Sequence, residues 1–259
     1  MPQPVMTFFR HSLDLKAALA DCVDDPKPRA VHRLRSSTRR LEAVLEVLAN
    51  AAELPDLAKR SKQFRRSLGD IRRSAGAVRD LDVHVELLKH LGATDGVVKL
   101  EKELQSSRKK KVKKLQRRIR AGQDEIHGAL DRVEMDIAGQ VDLNLSGAKL
   151  INVARSWMAP EVHGLDPSRD EDLHSIRKVC KTARYMAEIG SEASKAAAKF
   201  AKRLEDVQQT TGAWHDYLLL LNHANARLPQ ASAITEKLYA KAGLLRRQAE
   251  SKAAHLLKA

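Results

Sequence analysis

The chain carries the same pattern twice. "FRRSLGDIRRSAGAVRD" at 64–80 aligns without a gap with "FAKRLEDVQQTTGAWHD" at 200–216. Phe64/Phe200, Leu68/Leu204, Asp70/Asp206, Gly76/Gly212, Ala77/Ala213 and Asp80/Asp216 are identical. Upstream, "VHRLRSSTRRLE" (31–42) pairs with "LHSIRKVCKTAR" (173–184) at a nearly equal offset, superimposing His32 on His174, Arg35 on Arg177 and Arg39 on Lys181. Two matched blocks in the same order restrict the chain to folds built from two similar units. The reading is a single domain over 1–259 made of two halves, 1–138 and 139–259, packed around a pseudo-twofold axis.

The units are helical. Aromatic residues make up only 3% of the 259 positions, and Ala, Leu, Lys, Arg and Glu dominate, a composition that favours helix and offers little for long strands. Val31, Leu34, Thr38, Leu41, Leu45 and Leu48 recur in steps of three and four, a bundle seam. In the second half Leu173, Ile176, Cys180 and Ala183 make the matching seam. Turn signals at 24–28, 53–56, 74–76, 91–96, 121–122, 144–147, 159–167, 189–190, 210–212 and 228–230 divide the chain into about ten helices. The expected fold is all-α: two tandem pseudo-symmetric four-helix bundles of long helices around a central basic groove or pore.

His32, Arg35 and Arg39 repeat the seam spacing one residue later, a rotation of about 100°. They form a stripe along the edge of the buried face. His174, Arg177, Lys181 and Arg184 copy it in the second half. A third basic element, "RKKKVKKLQRRIR" at 108–120, has nine Lys or Arg among thirteen residues, with Lys110, Lys113, Arg117 and Arg120 on one face. Like charges so spaced repel in an isolated helix. Lys62, Arg65, Arg66, Arg72 and Arg73 add cations in the first half, and Lys202 and Arg203 in the second. The net charge of +14 calls for a polyanionic partner: nucleic acid, an anionic membrane or a phosphate polymer.

Arginine's planar fork suits pairs of phosphate oxygens, lysine adds point charge, and a histidine beside an anion is favoured in its charged form. None of these groups prefers a base. Reading single-stranded nucleic acid usually involves aromatic platforms, and the nine Phe, Tyr and Trp residues fall mostly on apolar positions. A long, narrow, base-free polyphosphate fits the residues better than DNA or RNA.

"VHRLRSSTRRLEAVL", "GAVRDLDVHVELL", "LHSIRKVCKTARYMAEI" and "TTGAWHDYLLL" resemble the four motif blocks of the CHAD family, the conserved histidine α-helical domain. The resemblance covers nearly the whole chain. It implies two four-helix bundles around a basic central cavity, binding of inorganic polyphosphate and association with polyphosphate granules. Carried over by position, it implicates His32, Arg35, Arg39 and Arg40 in the first half, and His174, Arg177, Lys181 and Arg184 in the second. Glu42 departs from the pattern: the family often has a base there, matching Arg184, so Glu42 either weakens that end of the stripe or orients Arg39 or Arg35. His215 stands where the first half has Arg79. The E-x-E-x-K patterns of a triphosphate-processing domain, fused to some relatives, do not occur.

Other chemistry is weaker. Asp80, Asp82, His84 and His90 could suggest a metal site, but Asp80 and Asp216 are expected near helix starts, where a carboxylate suits the macrodipole, or paired with a stripe arginine. Cys22 and Cys180 have neither zinc nor disulfide spacing and fit a reducing compartment, with Cys180 on a seam. No phosphate-binding "GxxxxGK[ST]" loop is present, and no carboxylate cluster suited to Mg²⁺ is apparent. With no signal peptide and no apolar segment of membrane-spanning length, the expectation is a soluble, cytoplasmic binding module with no cofactor. Its partner is inorganic polyphosphate, or phosphate or sulfate ions in its place. The alternative is general DNA or RNA binding by the same basic surface.

Overall fold

Both seams are buried along their whole length, since the apolar positions share one helical face. The computed structural model describes residues 3–51, 57–92, 94–228 and 232–258. Among them are nine α-helices and no strand: α1 (Pro4–Asp24), α2 (Pro28–Ala51), α3 (Leu57–Ser67), α4 (Gly69–Lys89), α5 (Asp95–Ile137), α6 (Gly147–Val162), α7 (Asp170–Glu188), α8 (Lys195–Asn225) and α9 (Ala233–Leu257). One 3₁₀ turn, Ala138–Gln140, follows α5. The all-α expectation holds.

The helix starts follow local chemistry. Pro4 and Pro28 open α1 and α2, where a missing N–H costs nothing. The hydroxyls of Thr94, Ser146, Ser194 and Ser232 accept from backbone N–H groups at the starts of α5, α6, α8 and α9. Three acids, Asp170, Glu171 and Asp172, occupy the first turn of α7. Gly92, with φ of 84°, takes up the left-handed conformation just after α4.

Three expected breaks are corrected. α4 runs through 74–76, α5 through 121–122 and α8 through 210–212. Glycine signalled a stop, but Gly76 and Gly212 lie inside helices beside arginines. A Cβ at Gly76 would fall 2.6 Å from Arg35 Nη1, and one at Gly212 3.9 Å from Arg177 Nη1. Asp80 and Asp216 consequently lie well inside α4 and α8, not at helix starts. In the other direction, a turn at Leu68 separates α3 from α4, whereas α8 is continuous across the aligned Leu204. The expected break at 53–56 lies outside the described residues, as do 229–230 of the last one and Ala93 of the 91–96 turn.

Three apolar clusters hold the helices. The first joins α1, α2, α3, α4 and the later part of α5, including Phe8, Leu34, Phe64 and Leu130. The second joins α6, α7, α8 and the end of α9, including Ile176, Met186, Leu204 and Trp214, and takes in Ala43 and Val47 of α2. The third lies where the α4–α5 connection meets the α8–α9 connection, through Leu88, Leu100, Leu220 and Leu238. Helix α2 packs on α7, and α4 on α8. The basic stripes of α2 and α7 therefore face one another beside α4 and α8.

Candidate functional site

Two open cavities that share a wall lie where α2, α4, α7 and α8 meet, one lined by all four and one by α2 and α7 alone. The larger, about 410 Å³, is lined by His32, Arg35, Arg79, Asp80, Arg177, Lys181 and Asp216, with Gln208, Gln209, Tyr185 and Tyr217. The smaller, about 140 Å³, is lined by Arg35, Arg39, His174, Arg177, Lys178 and Lys181. Arg35, Arg177 and Lys181 belong to both. Each approaches from a helix edge because the seam beside it is buried.

These three cations have no carboxylate within 4 Å among the described residues. All three are half-buried, and Arg177 and Lys181 lose much of their water. Burial, then Arg35, Arg39, Arg177 and Arg184, push the Lys181 ammonium down to about 7. Burial likewise works against the charge on Arg177 and Arg39. His32 is held below the ordinary histidine range by desolvation and by Arg79, Lys181 and Arg35. Desolvation, Arg177 and Lys178 do the same to His174. The His174 ring stands 4.6 Å, centroid to centroid, from that of His215, and its Nδ1 has no hydrogen-bond partner among the described residues. His215 is itself pushed down to about 4 by burial and by Arg177.

Six of the residues proposed from the sequence come together here: His32, Arg35, Arg39, His174, Arg177 and Lys181. Arg39 is only partly available, since its Nη1 lies 3.3 Å from the buried Glu42 carboxylate, which also takes Arg72. Glu42 thus orients Arg39 but not Arg35. Arg40 lines a neighbouring cavity with Arg10 and His11, on the far side of Tyr185.

The others are not brought to the cavity. Arg65 pairs with Glu46 and Arg73 with Asp70. Arg184 bonds Glu205 at 2.9 Å and lies 3.4 Å from Glu188, and Lys202 bonds Glu205 at 2.9 Å. Lys62, Arg66, Lys110, Lys113, Arg117 and Arg203 are exposed on outer faces of α3, α5 and α8. The physical reason is that most of these residues face away from the α2–α7 contact, while Arg72 and Arg184 are held by carboxylates.

The sequence reading omitted Arg79, Lys178, Gln208 and Gln209, and gave the two aspartates no ligand role. A signal existed: Gly76 and Asp80, like Gly212 and Asp216, are four apart and share a helix face. The guanidinium that crosses the glycine lies within electrostatic reach of the aspartate. Burial raises both carboxyls against the pull of Arg35 and Arg177, and Asp216 reaches about 6.

The remaining "RDLDVHVELLKH" groups disperse. Asp82 is buried against Arg108, which also donates to Pro26 O at 2.9 Å. His84 is buried beside His223. Among the described residues no three His, Cys, Asp or Glu side chains converge as metal ligands. Cys22 and Cys180 are free and buried, and desolvation pushes both thiols up to about 12, as core residues behave. Among the described residues no helix is long and apolar enough to cross a membrane.

The family model described as CHAD domain matches residues 9–225. The fold is similar to the crystal structure of the CHAD domain from the plant Ricinus communis, with a TM-score of 0.68 and 16% identity, covering 96% of this chain and 90% of that one. It is also similar to PptA from Streptomyces chartreusis, with a TM-score of 0.60 and 18% identity, covering 98% of this chain and 96% of that one. No curated protein matches.

Proposed function

The chain belongs to the CHAD domain family, and from that premise we propose that its central cavity binds inorganic polyphosphate without turning it over. The observation that carries the reading is the shared wall of Arg35, Arg177 and Lys181, three half-buried cations without a carboxylate within 4 Å among the described residues. Buried charge is costly unless paired. A chain of phosphates lying across this wall would supply a negative charge to each, with the arginines gripping oxygens in pairs. Arg39 would extend the grip into the smaller cavity. His32 and His174, mostly neutral near pH 7, would gain charge as the anion arrives.

Of the two tyrosines that line the larger cavity, Tyr185 is not free to stack on a base. Tyr185 is covered by Arg184 and Arg40, whose guanidinium carbons lie 4.6 and 5.7 Å from its ring centre. Residues 1–138 and 139–259 are, on this reading, two halves that each contribute one wall, and binding would hold the chain at cytoplasmic polyphosphate granules.

One observation favours the second reading, general nucleic-acid binding. Lys109, Lys110, Lys111, Lys113, Lys114, Arg117 and Arg120 are exposed along α5, and none has a carboxylate within 4 Å among the described residues. Competition separates the two. Long polyphosphate is expected to displace single- and double-stranded DNA at physiological salt, and DNA to leave bound polyphosphate in place. DNA that displaces polyphosphate would put the nucleic-acid reading first.

A further inference from the structure

The two cavities differ in one respect. Every side chain lining the smaller one is basic. The larger one presents Asp80 and Asp216 to the same cations, and neither carboxylate makes an ion pair within 4 Å among the described residues. Two carboxylates facing the path of a polyanion repel it. An ionised carboxylate can only accept hydrogen bonds, so it can attract an oxyanion only where that oxyanion carries a proton.

Polyphosphate carries such protons in one place. Each interior phosphate has a single acidic oxygen, strongly acidic and ionised in water. A terminal phosphate has a second, with a pKa of about 6 like that of a phosphate monoester, so a P–OH is accessible near neutral pH. An Asp beside two arginines therefore matches a chain end and mismatches a chain interior.

Resting on the polyphosphate reading, we propose that Asp80 and Asp216 make the larger cavity a reader of the chain end. One of the two accepts a hydrogen bond from the single protonated oxygen of the terminal phosphate, while Arg35 and Arg177 hold its remaining oxygens. The chain then continues past Lys181 into the all-basic cavity, where interior phosphates meet Arg39 and Lys178. The geometry that positions the pair is repeated in both halves. In each half a guanidinium passes a helical glycine, closely at Gly76 and at ordinary contact distance at Gly212, and an aspartate follows one turn later on the same face. Asp216, at about 6, and a terminal phosphate with a pKa of about 6 are each about half protonated at pH 6, so one shared proton there serves both.

The test is calorimetric titration of the whole chain at pH 6, where a terminal phosphate is about half protonated, with a short linear polyphosphate, and with the same chain capped as alkyl esters at both terminal phosphates. One charge-assisted hydrogen bond predicts a preference of about tenfold or more for free ends. The Asp80→Asn, Asp216→Asn variant is expected to lose that preference by binding the capped chain better. Equal affinity of the native protein for both ligands would overturn end recognition and leave polyphosphate binding standing. A folded variant that keeps the preference would overturn the assignment to these aspartates. Failure of the native protein to bind either ligand would remove the polyphosphate reading and this proposal with it.

Discussion

Gly76→Ala should separate ligand affinity from fold stability. The added methyl would sit 2.6 Å from Arg35 Nη1, closer than side chains pack, whereas the same change at Gly212 would sit 3.9 Å from Arg177 Nη1, an ordinary contact. The crowded atom is the free end of a flexible side chain, so the guanidinium moves and the helix stays. Alanine in place of glycine inside a helix is worth about 0.5–1 kcal/mol. At roughly 2–4 °C per kcal/mol, both variants should melt about 1–4 °C higher than the native chain. Displacing Arg35 forfeits a charge-assisted hydrogen bond of about 1.5–3 kcal/mol. Gly76→Ala should therefore bind polyphosphate roughly 10- to 150-fold more weakly, while Gly212→Ala binds as before. Thermal unfolding and calorimetry on the two variants decide the matter. Equal affinities would refute the assignment of Gly76 as clearance for Arg35.

Lys181 should couple binding to protons. With its ammonium at about 7 in the free protein, a phosphate that restores its charge takes up about half a proton at pH 7, and almost none from this group at pH 5. Calorimetry in buffers of different ionisation heat reads this uptake, and Lys181→Met should reduce it. In the free protein the unfolded chain holds more protons at this lysine between about pH 7 and 10.5, so its contribution makes stability rise with pH across that window. The Asp82 side chain is only 2% exposed against Arg108, so Asp82→Ala should cost about 3 kcal/mol, read from the urea midpoint. Polyphosphate affinity of the folded variant should not change, because Asp82 lines neither half of the site.

The helical seams and their flanking stripes could be read from the chain because burial imposes a period close to 3.6, and both Val31–Leu48 and Leu173–Ala183 keep it. Glycine misled in three places: Gly76 makes room for Arg35, Gly122 and Gly212 are simply carried within packed helices, and in sequence none of them differs from a glycine that ends a helix. The turn at Leu68 gave the opposite error, because the aligned second half passes straight through Leu204. Basic residues outside the cavity could not be sorted by type. Arg65 and Arg184 are claimed by Glu46 and Glu205, carboxylates 19 and 21 residues away in sequence. Such pairings depend on how helices pack, which local spacing does not encode.

The central claim is that the shared cationic wall, and not the outer face of α5, holds the ligand. The most direct measurement compares polyphosphate binding by two variants, Arg35→Ala with Arg177→Ala, and Lys110→Gln with Lys113→Gln and Arg117→Gln. Two lost charge-assisted contacts predict a weakening of about 100-fold or more for the first, with helix content intact. The second should flatten the salt dependence modestly and keep most of the affinity. Native affinity in the cavity variant, with loss in the α5 variant, would contradict the account.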